Sequence, residues 1–184
     1  MKTLRWTVLM FVAAVAALAS GPKPAAAAAP AFAFEFESVA SGLALEADGG
    51  IVTGEGPYTV FLYRDGRRQP RLSNQCGVGP AAIAVRPNGD IVVSGGAGVV
   101  LSTTEGGCIW LRTRGAEGVT VGADGNIYIV SNEDGVMLFN PEGQLRGTWQ
   151  KPNFDPGYFH LAQGIAADAH GFLYLADTGH HRVV

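Results

Sequence analysis

The sequence has little positive charge. It contains 13 lysines and arginines, three of which (Lys2, Arg5 and Lys23) lie near the N-terminus, and Lys151 is the only other lysine. Without those three, ten basic side chains stand against 16 acidic ones, a net charge near −6. Proteins that bind nucleic acid present a basic face, so this charge balance excludes nucleic acid as the expected partner.

Long apolar runs are also scarce. The one near the N-terminus, Trp6 to Ala19, has 14 residues, fewer than a membrane-spanning helix needs. It follows a short basic region and precedes prolines and small residues, which is the pattern of a secretory signal peptide. We predict a signal peptide over residues 1–29, with an uncleaved signal anchor as the alternative. The mature chain would then have no membrane span and would be exported, to the periplasm or outside the cell.

The rest of the chain is repetitive. Four segments align without gaps around a turn glycine, and these glycines (Gly49, Gly89, Gly125 and Gly171) are spaced by 40, 36 and 46 residues. Each segment reads as a short apolar strand, an Asp-Gly, Asn-Gly or His-Gly turn predicted as a two-residue hairpin, and a second apolar strand. A further acidic-Gly turn follows 17 or 18 residues later in the first three copies. Four antiparallel strands per unit of about 40 residues indicate an all-β protein, a β-propeller.

The last copy, Gly157 to Val184, resembles the NHL-repeat family, of the six-bladed TolB-like and gluconolactonase-like propeller superfamily. The resemblance rests on GYFHLAQGIAADAHGFLYLADTGHHRVV, although Ala162 stands where proline is usual, His170 replaces the turn acid and His180 replaces an asparagine. It implies a partial propeller over residues 30–184, with blades at roughly 38–75, 76–114, 115–160 and 161–184, the last incomplete. About three and a half of six blades would be present. We therefore expect a C-terminally truncated fragment, with a half-propeller that dimerises as the alternative.

The same family resemblance directs attention to the loops that border the central channel. Gluconolactonase-like propellers bind a divalent cation there through Glu, Asn and Asp. This chain has Glu117, Asn132 and Glu133 in its third blade, and such oxygen ligands suit Ca²⁺ or another divalent cation. We expect ordinary solvated loop residues here, with no metal or other cofactor, and a divalent-cation site is the alternative.

Further candidates lie in and before the fourth blade. Tyr158 belongs to an aromatic connection, Thr148 to His160, that could contact a partner. His160 precedes an inner strand, and Asp177 could either bind a ligand or brace its own turn. The four histidines belong to one blade, so we expect turn residues rather than a metal site.

Cys76 and Cys108 are the only cysteines, and export would favour a disulfide between them. The predicted strands, however, place Cys76 before an inner strand and Cys108 at the other end of the blade. That separation exceeds the Cα distance limit of about 7 Å for a bridge. We therefore predict that they are not bonded.

No Cys-x-x-Cys, Gly-rich phosphate loop or Ser-His-Asp context is present. With no complete catalytic constellation, whether the chain is an enzyme stays open, and a non-enzymatic function is favoured. The preferred interpretation is a scaffold that binds a protein, peptide or glycan. The alternative is a divalent-metal-dependent lactonase or lyase of the six-bladed type.

Overall fold

The structure is a computed structural model. It describes residues 40–46, 48–55, 59–65, 67–73, 76–112, 114, 116–149 and 159–184. The predicted signal peptide, Tyr158 and most of the aromatic connection before His160 therefore lie outside the described residues.

The described residues form four antiparallel sheets, which confirms the predicted all-β propeller fold. Three sheets have four strands and the fourth has three, and the strands follow one another in chain order within each sheet. The first sheet contains β1 (Ala40–Leu45), β2 (Ile51–Glu55), β3 (Thr59–Arg64) and β4 (Arg67–Ser73). The second contains β5 (Ala82–Val85), β6 (Ile91–Gly95), β7 (Gly98–Ser102) and β8 (Cys108–Arg112). The third contains β9 (Gly118–Val121), β10 (Ile127–Ser131), β11 (Gly135–Phe139) and β12 (Leu145–Trp149). The fourth contains β13 (Ala162–Ala167), β14 (Leu173–Asp177) and β15 (Arg182–Val183), with a single 3₁₀ turn (Thr178–His180) between β14 and β15.

The sheets are the blades, and their innermost strands β1, β5, β9 and β13 are consecutive neighbours. Between each pair of adjacent blades lies an apolar cluster. The first joins Val52, Val60 and Leu62 to Ile83, Ile91, Val93 and Val100, the second is centred on Val92, Leu101, Ile127 and Ile129, and the third on Val130, Val136, Phe159 and Leu175. The nearly continuous apolar strands of the sequence are explained by this burial on both faces.

The turn glycines behave as predicted in conformation but not in turn type. Gly49, Gly89, Gly125 and Gly171 all have positive φ, between 79° and 88°. In each turn, however, the glycine N–H donates to the carbonyl three residues earlier, at 2.9–3.2 Å, and the residue before the glycine keeps a negative φ. This is a type I turn followed by a left-handed glycine, so the prediction of two-residue primed hairpins was wrong at these four positions.

Cys76 and Cys108 form a disulfide with a Cα separation of 5.7 Å, which contradicts the prediction. The prediction assumed that the connection before β5 stays at one end of the blade. Cys76 and Val78 are instead buried in the first interblade cluster, and a Cβ on Gly95 would overlap the carbonyl oxygen of Gly79. The connection therefore extends along the blade. Gly79 lies beside the end of β6, and the three residues from there back to Cys76 span about 10 Å when extended, which brings Cys76 toward the start of β8.

The hairpin formed by β3 and β4 carries four arginines, Arg64, Arg67, Arg68 and Arg71, and three of them pair with carboxylates. Arg64 lies 2.6 Å from both Glu46 and Asp48, and Arg71 lies 2.9 Å from Glu46. Arg68 pairs with Glu55 and lies over the ring of Phe61.

No helix among the described residues is long and apolar enough to cross a membrane.

Candidate ligand-binding face

The turns between the second and third strands of a blade lie at the same end as the segments that lead into the inner strands. We call this end the b–c face. In the described part of the chain it includes residues 96–97, 132–134 and 178–181, together with residues 116–117 and 159–161. Each of the five described residues that the sequence analysis selected lies at this end: Glu117, Asn132, Glu133, His160 and Asp177.

Three of these residues meet in one cluster between the second and third blades. The carboxylate of Glu117 accepts a hydrogen bond from the backbone N–H of Asn132 at 3.1 Å. Glu133 accepts from Arg114 at 2.6 Å and from Arg112 at 3.3 Å, so a single carboxylate oxygen bridges two guanidinium groups. The hydrogen bond and charge of Arg114 hold the pKa of Glu133 below its ordinary value, and Glu133 in turn raises the pKa of Arg114.

The two arginines were missed in the sequence analysis. The Arg112 side chain is 8% exposed and also lies 2.8 Å from Asp134, so it ties the end of β8 to the b–c turn of the next blade. Among the described residues, the Nη1 of Arg112 and the Oδ1 of Asn132 are buried without a hydrogen-bond partner. The available signal was the Arg-Thr-Arg run at the end of a predicted outer strand, close to the selected Glu117.

A second cluster is built around Asp177 in the fourth blade. Its side chain is fully buried and accepts hydrogen bonds from the backbone N–H of His160 at 2.6 Å and from Arg182 at 2.7 Å. The Nδ1 of His180 lies 2.9 Å from the same carboxylate. Burial raises the pKa of Asp177, but the hydrogen bonds from His160, Arg182 and His180 outweigh it and lower the pKa to about 2. Asp177 therefore joins His180 and Arg182, which follow it in the chain, to the backbone before β13.

The four histidines lie at both ends of the fourth blade and do not surround one point. The rings of His160 and His180 lie 6.0 Å apart, and a Cβ on Gly179 would collide with His160, so the turn packs closely on that ring. His170 lies in a turn at the opposite end of the blade, beside Asp168, and His181 is exposed with a φ of 52°. Within the described ranges, no group of three or more His, Cys, Asp and Glu side chains is arranged to hold a metal ion.

Comparison with known proteins supports the propeller fold. Residues 159–184 match the NHL repeat, so the chain contains such a repeat in its fourth blade. Curated protein sequences give no match. Among solved structures, the chain is similar to a streptogramin B lyase, with a TM-score of 0.60 and 16% identity over 77% of this chain and 49% of the lyase.

Two further solved structures are virginiamycin B lyases from Staphylococcus aureus. One matches with a TM-score of 0.58 and 15% identity over 78% of this chain and 53% of the other. The second is a catalytically inactive histidine-to-alanine variant with quinupristin, with a TM-score of 0.58 and 16% identity over 79% and 51%. The chain thus spans about half the length of these lyases. The TM-scores show a shared fold, and at identities this low the similarity shows the fold alone.

Proposed function

We propose that this chain is part of an exported β-propeller that binds a protein, peptide or glycan on its b–c face. The observation that supports this most is the concentration of exposed charge there. The side chains of Arg114, Glu133 and Asp134 are 71%, 58% and 51% exposed, and they stand around the buried Arg112. Loops held by a rigid scaffold are the usual place for recognition residues.

The chemistry of this face suits a ligand that carries both signs of charge or paired hydrogen-bonding groups. Arg112 and Arg114 each carry a planar guanidinium, a group that binds carboxylates, and both contact the acidic side chains of this face. Glu133 and Asp134 supply acceptors beside it. A peptide or a polar saccharide matches such alternating donors and acceptors better than an apolar ligand does.

Export is supported by two independent features. The N-terminal sequence has the signal-peptide pattern, and Cys76 is bonded to Cys108. Disulfides persist in oxidising compartments.

The test is a peptide and glycan array probed with the purified chain, followed by titration calorimetry on the strongest ligand. Arg114→Ala and Glu133→Ala are expected to weaken that binding by about tenfold each. Arg146→Ala and Glu142→Ala, exposed residues of the third blade away from this face, are the matched controls. Binding that survives both b–c variants, or that falls equally in the controls, would contradict the proposal.

The alternative function, a divalent-metal-dependent lactonase or lyase, is favoured by one local feature. Asp177 orients His180, and an acid–base histidine held by a buried carboxylate is a common catalytic arrangement. The similar propellers are named as lyases. Chromatography of quinupristin incubated with the chain, with Mg²⁺ or with a chelator, tests this alternative. Loss of quinupristin only with Mg²⁺ would support it, and an unchanged profile would exclude quinupristin as substrate.

A further inference from the structure

A pocket lies at the end of the inner strands opposite to the b–c face. Its volume is about 280 Å³, and residues from three blades line it. They include the last residues of the three inner strands, Leu45 of β1, Val85 of β5 and Val121 of β9. Glu46 follows β1, and Arg86 and Pro87 follow β5. We call it the a–b pocket, after the turns that surround it. None of the residues selected from the sequence lies in it.

The apolar part of the a–b pocket follows from the repeat. Leu45, Val85 and Val121 each lie four residues before a turn glycine, so the same position of three successive blades faces one space. Leu45 is 60% exposed, and among the described residues of the first blade it is the exposed large apolar side chain. Such an exposed leucine at a concave site is where an apolar ligand gains the most from losing water.

The charges around the a–b pocket are already neutralised by partners. Glu46, with 9% of its side chain exposed, is paired with Arg64 and Arg71, and Arg86 is paired with Asp90 at 3.0 Å. An ionic ligand would therefore meet no unbalanced charge among the described lining residues. The Nε of Arg86 is buried without a hydrogen-bond partner in the described part of the chain, below the surface that a water-sized group can reach, so it is not a donor for a ligand in the pocket.

Size limits the ligand further. An apolar cavity of about 150 Å³ in another protein holds benzene, so the a–b pocket has room for about two fused rings. The pocket is bordered least at the third blade. Gly122, which has no side chain, occupies there the position that Glu46 and Arg86 hold in the first two blades.

We propose that the a–b pocket binds a small, neutral, largely apolar molecule of about two rings. Leu45, Val85 and Val121 contact the rings, and the paired charges of Glu46 and Arg86 favour a neutral ligand over an ionic one. The site is separate from the b–c face, and it would be occupied whether or not that face has a ligand.

The experiment titrates the full chain with prodan, a neutral naphthalene ketone whose emission shifts to the blue in apolar surroundings. We expect a saturable shift, with Val121→Phe weakening the apparent affinity by about tenfold because the ring fills the pocket. Val85→Thr keeps the shape and replaces a methyl by a hydroxyl, so it is expected to weaken binding by several-fold. Because Val85 also packs against the first interblade cluster, its unfolding midpoint is measured in parallel, and the titration is done where the variant is folded. Val183→Asn, on the exposed face of the fourth blade, is the control and is expected to change nothing.

Each other outcome counts against the proposal. No saturable shift with the parent chain would overturn it. A shift lost in Val183→Asn but kept in Val121→Phe and Val85→Thr would place the dye on the exposed sheet face. Equal affinity for the anionic dye 1-anilinonaphthalene-8-sulfonate, with the same response to Val121→Phe, would overturn the requirement for a neutral ligand.

Discussion

The second and fourth blades share a sequence pattern but differ in burial. All residues of β6 and β7 in the second blade are buried. In β14 of the fourth blade, which aligns with β6, only Leu175 and Asp177 are buried. The second blade has described sheets packed on both faces, whereas the described neighbours of the fourth blade cover one face.

This difference shows that the repeat specifies the strands but the neighbouring blade buries them. In a repeat protein, stability is close to a sum of contributions within repeats and between adjacent ones. A blade with two interfaces should therefore unfold last and a blade with one interface should open first.

The two blades are also held by different means. The second blade has a covalent link, Cys76–Cys108, from the preceding connection to its outer strand. The fourth blade has the buried carboxylate of Asp177, which joins β14 to β15 and to the segment before β13. Removing the disulfide and the Asp177 carboxylate in separate variants should show what each contributes to the free energy of unfolding.

The largest effect is expected from removing the disulfide. Its sequence separation is 32 residues, and a loop of that size constrains the unfolded chain by roughly 3 to 4 kcal/mol in the chain-entropy treatment. The double variant Cys76→Ala/Cys108→Ala should lower the free energy of unfolding by that amount in a urea titration. The parent chain under reducing agent is the control and should match the variant. A midpoint that reducing agent leaves unchanged would show that the bond does not support the fold.

A somewhat smaller effect is expected from a cavity in the second blade. Leu101 is 1% exposed and lies in the second interblade cluster, so Leu101→Ala should cost about 3 kcal/mol. Leu145→Ala, at a leucine that is 56% exposed in the third blade, is the matched control and should stay within about 0.5 kcal/mol of the parent. Similar losses at both positions would contradict a core located between the blades.

Much of the fold could be predicted because it depends on periodicity. The turn glycines at Gly49, Gly89 and Gly125 and the apolar runs around them mark the blades, and the structure confirms the propeller. The turn type could not be predicted, since Asp-Gly and Asn-Gly suit both a two-residue primed turn and a type I turn with a following left-handed glycine. The extra residues in the loop, which decide between them, can be counted only when the strand register is known.

The candidate site was less predictable, because its contacts cross between blades. Glu117 and Glu133 could be selected as oxygen donors in one loop region, but the proximity of Glu133 to Arg112 depends on how the second and third blades pack. The same limit explains the disulfide, where the path of a connection with no regular strand decided the outcome. Asp177 was easier, because its partners His180 and Arg182 are close in sequence.

The network of the fourth blade should respond to Asp177→Asn. The substitution removes the charge that His180 and Arg182 contact, and a hydrogen bond to a charged group contributes about 1.5 to 3 kcal/mol. We expect a loss of about 2 kcal/mol, with hydrogen exchange at the backbone N–H of His160 and in β14 accelerated more than in β6. Asp65→Asn, at an exposed turn of the first blade, is the control. Equal acceleration in β6 and β14 would contradict a local role.

The same carboxylate predicts a pH dependence. Its pKa falls from 3.8 to about 2 in the folded chain, so between these values the unfolded chain binds more protons than the folded one. The contribution of Asp177 to stability is therefore complete above about pH 4 and is lost as the pH falls toward 2. The difference in free energy of unfolding between the parent and Asp177→Asn, measured from pH 5 to 2, should shrink over this window. A difference that stays constant would show that the carboxylate is not the titrating group.

The smallest predicted effect makes the sharpest comparison, because it uses the same substitution in two blades. Val136 pairs with Val130 in the third blade, and Val183 pairs with Ala176 at the matching register of the fourth. Val136 is 9% exposed and packs against Phe159 and Leu175, whereas Val183 is 71% exposed. At about 0.8 kcal/mol for each buried methylene, Val136→Ala should cost about 1.5 kcal/mol, and Val183→Ala should change the free energy of unfolding by less than about 0.5 kcal/mol. If the two losses in a urea titration are equal, Val183 is covered in solution, and the exposed face of the fourth blade has a partner there. If only Val136→Ala is costly, burial by the adjacent blade, rather than position in the repeat, determines what each valine contributes.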